Sequence, residues 1–272
     1  MKTALKTLLA ALPLLATLNG AIAGEIALQD LSTLPAADVV ILGETHDNGF
    51  HHRGQAAAIR AIMPKAVVFE MLSREQAANV TPELLPDAKA LEAALGWNAT
   101  SWPDFELYYP VFAALKGAKV VGAARPKSQV RQAYKEGAAA VLGPEASRYG
   151  LDQTLPQAQL DVRIQEQFEA HCQAMPLGMM GGMVEAQRFR DAAFAAEVLK
   201  ALANYGAPVV LIAGAGHART DWAVPALMKQ AEPEIRVLSL AFLEAPVEGG
   251  APFDLWISTL AAEREDPCLA FK

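Results

Sequence analysis

Five short runs rich in Val and Ile recur along this chain: "DVVILGE" (38–44), "AVVFEM" (66–71), "KVVGAA" (119–124), "PVVLIAGAG" (208–216) and "IRVLSL" (235–240). A sixth, "DLWIST" (254–259), is a weaker match. Each is apolar at successive residues instead of alternating, so each predicts a strand covered on both faces. That pattern belongs to parallel sheets, whose crossover helices must lie above and below. Helical stretches do separate the runs. One is expected from Asn48 to Met63, capped by Asp47 or Asn48 and stopped by Pro64. Others begin at Asp104, Ser128 and Asp221, and two long ones cover about 156–174 and 183–205. The expected fold is α/β, a mostly parallel central sheet with helices on both faces. A helical insertion over about 140–205 is expected to pack over one end.

The first stretch reads differently. "MKTALKTLLAALPLLATLNGAIAG" has Lys2 and Lys6, an apolar run too short to span a bilayer, and small residues at Ala21 and Ala23. It predicts a cleavable export signal over 1–23, leaving one domain over 24–272 in the periplasm or secreted. No cysteine stands at the cleavage point, so nothing there signals a lipid anchor. Lys2 and Lys6 fall in the signal, so 23 basic side chains become 21 against 30 acidic ones, a formal charge of −9. Such a surface repels a polyphosphate backbone and excludes nucleic acid as the expected partner. The two cysteines, Cys172 and Cys268, permit one disulfide in an exported chain. It would tie the tail to a central helix.

Ligands of open α/β sheets sit beyond the carboxyl ends of the strands. Here those ends carry Glu44 and His46, then Glu70, then Arg125, and finally His217 and Arg219 within "GAGHARTD". Ionisable groups from four strands therefore share one rim. Gly43 and the glycines of "GAG" suit a sharp turn or a close backbone approach. In the helix after Gly182, Gln187 and Asp191 continue the stripe of Phe194 and Val198 and would face inward to orient rim residues. Three of the five histidines (His46, His51, His52) lie within twelve residues, but their spacing matches no compact metal set. His46 precedes the helix, and His51 and His52 diverge on it by about 100°. A zinc or manganese site from Glu44, His46 and His217 stays open as an alternative. So does a hydrolase with His46 as general base.

Two further stretches concern a large flat ligand. "MPLGMMGGMVEAQ" (175–187) mixes Met179 and Met180 with glycines, and reads as an adaptable apolar flap or as a packed loop. "WNATSWPDFELYYPVF" (97–112) places Phe105, Tyr108 and Phe112 on one helical face, with Tyr109 a step away. It is either a packing face or an apolar wall with one hydroxyl.

"ILGETHDNGFHHRGQ", "WPDFELYYPVF", "AHC…MVEAQRFRDAAFA", "GAGHARTDWAVP" and "DPCLAF" together resemble the ChaN-like haem-binding family. That resemblance implies an exported haem-binding protein in iron uptake or storage, not an enzyme. It implies ferric haem (ferric protoporphyrin IX) held by a tyrosine: Tyr108 matches, with Tyr109 second. Arg125, His217 and Arg219 would serve the phenolate or the propionates, with Met179 and Met180 over the ring. Implied partners are an outer-membrane receptor or a periplasmic haem carrier, and a homodimer is a further option. The pair "GETH" and "GHA" also resembles erythromycin-esterase-like folds, which implies hydrolase roles for Glu44, His46 and His217.

Overall fold

The computed structural model describes residues 23–266, 268 and 269. Residues 1–22 of the expected export signal lie outside them. Seven strands form one sheet: β1 (Gly24–Glu25), β2 (Val39–Glu44), β3 (Ala66–Phe69), β4 (Lys119–Gly122), β5 (Val209–Gly214), β6 (Val237–Glu244) and β7 (Leu255–Thr259). Every pairing is parallel, in the order β1-β7-β6-β2-β5-β3-β4. The six expected runs are all strands. Only β1 was unforeseen, since two residues carry no periodicity.

Both faces are covered, and this explains the unbroken apolar runs. Val40, Leu42, Val67, Phe69, Val210 and Ile212 point to one side. There they meet helices α1 (Gly49–Ile62), α2 (Arg74–Ala78), α3 (Ala88–Leu95) and α4 (Phe105–Ala113). Val39, Ile41, Val68, Val209 and Leu211 point to the other. That side carries α5 (Lys127–Glu136), α6 (Ala138–Leu142), α8 (Met180–Tyr205) and α10 (Val224–Ala231). Helix α7 (Gln157–Ala170) packs on α8, and α9 (Ala215–Ala218) is a single turn after β5. Each buried Val, Leu or Ile contributes roughly 1.5–3 kcal/mol.

Local signals set the ends. Asn48 caps α1 by accepting from the N–H groups of Phe50 and His51, and Met63 closes it in the left-handed region. The helices between 140 and 205 do not all pack over one end of the sheet. Their longest member, α8, lies directly on the sheet through Ala192, Ala195 and Val198.

The methionine-rich stretch is largely helical. Helix α8 begins at Met180 and runs through Gly181 and Gly182. A Cβ at Gly182 would lie 2.6 Å from the Tyr134 ring, so this glycine lets α5 approach α8. Met180 is buried and Met179 exposed. A disulfide joins Cys172, just past α7, to Cys268 in the tail, with Cα atoms 5.3 Å apart.

Candidate functional site

Strands β2, β5, β3 and β4 are consecutive in the sheet. Their carboxyl ends therefore stand side by side. Glu44 ends β2, His217 lies on α9 after β5, Glu70 follows β3, and Arg125 stands three residues beyond β4. Two charged centres form here.

Glu44 is the first, and it is buried. Its Oε1 accepts from the Tyr108 hydroxyl at 2.6 Å and from His46 Nδ1 at 2.8 Å. His52 Nδ1 lies 3.1 Å from Oε2, an ion contact without hydrogen-bond alignment. The surroundings of His52 fix its charge. Nε2 is 2.9 Å from the carbonyl of His46, and Nδ1 is 3.2 Å from Gln55 Oε1. The Gln55 amide nitrogen donates to the Leu42 carbonyl, which sets that orientation. Both ring nitrogens thus face oxygen acceptors, so both carry protons. Burial opposes the charge on His52, but the Glu44 carboxylate outweighs it and raises the pKa. Burial likewise opposes ionised Glu44, and the charge of His52 with the hydrogen bond from His46 brings it down to about 2.

This arrangement engages the Tyr108 hydroxyl with Glu44. The side chain is wholly buried and packs on the His52 ring, 4.0 Å between centroids. Its proton is committed to Glu44. Burial, then the charge of Glu44, pushes the phenol far above its ordinary pKa. Tyr109 donates to the Leu85 carbonyl at 3.1 Å, away from the rim.

Glu70 is the second centre. Its Oε2 accepts from the Gly214 N–H at 2.7 Å. Its Oε1 takes the Arg190 guanidinium and lies 3.5 Å from His217 Nε2. His217 Nδ1 donates to Asp191 Oδ1 at 2.6 Å, and the Gln187 amide nitrogen lies 3.2 Å from Nε2. Burial opposes charge on Glu70 too, but His217 and Arg190 hold its carboxyl well below the usual range. Burial works against His217 as well, and Glu70 and Asp191 still raise its pKa.

His46 connects the two centres. Its Nδ1 faces Glu44, and its Nε2 reaches within 4.0 Å of Glu70 Oε2. A Cβ at Gly214 would sit 2.9 Å from that Nε2, so only glycine admits the ring. One third of the His46 side chain is exposed, beside the edge of Trp102. Burial resists its charging, but Glu44 and Glu70 raise its pKa.

Other expected residues lie apart. His51 accepts from the Thr45 N–H and turns to Thr259, and burial drops its pKa to about 4, so it is neutral. Arg219 pairs with Asp221 and Glu166 and stacks on Trp222 at 3.9 Å. Glu44, His46 and His217 do not form a cage for zinc or manganese, because Glu44 turns to Tyr108 and His52. Among the described residues no three His, Cys, Asp or Glu side chains are set to hold a metal ion.

Against the Glu70 centre opens a cavity of about 560 Å³. Its apolar walls are Met71, Trp102, Val130 and Phe194, and its cations are Arg125, Lys127, Arg131 and Arg190. Arg125 bonds Glu197 at 3.0 Å and Arg190 binds Glu70. Lys127 and Arg131 have no ion pair among the described residues. Of the cations, only Arg125 was expected in a binding role. Lys127 and Arg131 open α5 at i,i+4, directly after the end of β4, and that spacing was the available signal. Arg190 carried no signal of its own, since nothing local shows that Glu70 lies beneath it.

A family model described as haem-binding uptake, Tiki superfamily, ChaN, matches residues 31–228. ChaN of Campylobacter jejuni, solved with cofacial haem, is similar with a TM-score of 0.59 at 18% identity, covering 84% of this chain and 89% of that one. The type III effector HopBA1 gives a TM-score of 0.42 at 14% identity, covering 86% and 92%. No curated protein matches the chain significantly. The first structural likeness supports the α/β fold with its parallel sheet. The family match, over most of the chain, carries the assignment: this chain belongs to the ChaN family of haem-binding uptake proteins in the Tiki superfamily.

Proposed function

We propose that this protein binds ferric haem, as protoporphyrin IX, in the cavity beside Glu70, and acts in haem uptake or storage outside the cytoplasm. The cavity carries the reading. It offers the apolar walls that a porphyrin needs and cations for two propionates. Its volume lies in the range of small-molecule sites, about 300–1,000 Å³. Lys127 and Arg131 are the propionate partners, since Arg125 and Arg190 already serve Glu197 and Glu70.

The iron donor on this reading is His46 Nε2, in place of the phenolate of Tyr108. Glu44 fixes the ring through Nδ1, as second partners of metal-bound histidines do. Trp102 and Glu70 both touch His46 and line the cavity. An imidazole binds iron only when that nitrogen is unprotonated, so acid should weaken the bond. Haem supplies the iron chemistry; the protein's part is to hold and orient it.

The family match favours binding and transfer over the hydrolase alternative. The expected export signal and the disulfide support a periplasmic setting, where an outer-membrane receptor or a haem carrier would be the partner and a homodimer would double the sites. Haemin titration tests the proposal. A saturable Soret change is expected, weakened at least tenfold in His46→Ala, with the band of Tyr108→Phe unchanged. A titration without saturation would sink the reading. A band lost in Tyr108→Phe but kept in His46→Ala would return the iron to the phenolate.

A further inference from the structure

Arg163 on α7 is 5% exposed. Its guanidinium has no hydrogen-bond or ion-pair partner among the described residues; its one contact of note is the face of Trp222, 5.5 Å away. A buried charge without a partner is costly. The contrast with Arg188 is close at hand. That residue is also buried, but it binds Glu185 at 2.7 Å and the carbonyl of Gln153 at 3.2 Å.

Both arginines line a cavity of about 200 Å³, together with Trp222, Gln153, Gln159 and Gln230. Two of the acids nearby are already occupied. Asp221, on the rim, binds Arg219 at 2.7 Å, and Glu166, one turn along α7, binds it at 3.2 Å. Asp191 gives its Oδ1 to His217, while its Oδ2 has no hydrogen-bond partner among the described residues and attracts Arg163 through charge alone, without a hydrogen bond or ion pair. Burial lowers the pKa of Arg163 against that attraction.

We propose that this cavity binds a small oxyanion, a phosphate or a short carboxylate, with the Arg163 guanidinium as its anchor. The planar fork of arginine takes two oxygens of such a group at once. Glutamine amides supply further donors, and Trp222 forms a wall. The space holds about seven waters' worth of volume at ~30 Å³ each, enough for a phosphate and too little for a porphyrin. The site therefore stands whether or not the haem reading does.

The test uses the whole protein with sodium phosphate or sodium acetate against sodium chloride at matched ionic strength. Binding raises the melting temperature by mass action, and the rise saturates. The wild type should respond to at least one probe. Arg163→Met should need at least tenfold more anion for the same rise, measured from its own melting temperature without anion. Ala226→Met, which fills the cavity and keeps Arg163, should weaken the response to a similar degree. A response to one probe alone would fix the anion class. No saturable response in the wild type, or an unchanged response in both variants, would overturn the proposal.

Discussion

The two faces of the strand-end rim treat charge in opposite ways. Around Glu44 the carboxylate, the imidazolium of His52 and the phenol of Tyr108 are all buried, and their protons are assigned to one another. Beside Glu70 the cations face an open cavity, and Lys127 and Arg131 lack ion-pair partners among the described residues. A closed network of this kind fixes geometry, because each member left alone would be costly. An open one leaves charge for a ligand. His46 belongs to both, fixed on one nitrogen and available at the other.

Substitutions should separate the two. His52→Leu should have the largest effect, since it leaves Glu44 buried without its counter-charge: about 3–5 kcal/mol of stability, measured by urea unfolding near neutral pH. A loss below 1 kcal/mol would mean that His52 is not charged. Tyr108→Phe removes one hydrogen bond to a carboxylate and should cost about 1.5–3 kcal/mol, with haemin binding intact. Lys127→Ala with Arg131→Ala should do the reverse. Stability should stay within about 0.5 kcal/mol while haemin affinity falls about tenfold, or roughly 1.4 kcal/mol; equal affinity would remove these two from the site.

The pH dependence should be the gentlest effect. The pKa values of His52 and His217 are raised in the fold. Their contribution is therefore complete below their unfolded values, ~6.5, and is lost as pH rises through the folded values. Glu44 is lowered to about 2, so its contribution is present above ~4.5 and lost as pH falls towards 2. Unfolding free energy should decline in both directions from a maximum on the mildly acidic side. The alkaline decline should be shallower in His52→Gln.

Much of this was legible in the sequence, for identifiable reasons. Unbroken runs such as "VVIL" declare a sheet covered on both sides, and the helix after Asn48 starts and stops on local chemistry. The rim was visible because parallel strands must end on one edge. What stayed hidden depends on packing between distant segments. The aromatic periodicity placed Tyr108, Phe105 and Phe112 on one face, but it did not show that the face was core. The packing role of Gly182 stayed hidden because the ring of Tyr134 that requires it lies some fifty residues earlier. His52 and Arg190 show their roles only once Glu44 and Glu70 are found next to them.

The bond between Cys172 and Cys268 encloses α8, α9, α10 and strands β5, β6 and β7 in one covalent ring. A protease that cuts once inside that ring cannot divide the molecule, because the pieces stay tethered through the two sulfurs. Nicked protein should therefore migrate as one species until reductant is added. In an oxidising compartment, a surface cut in this half would leave β5 and α9, with His217, in covalent reach of β2 and Glu44.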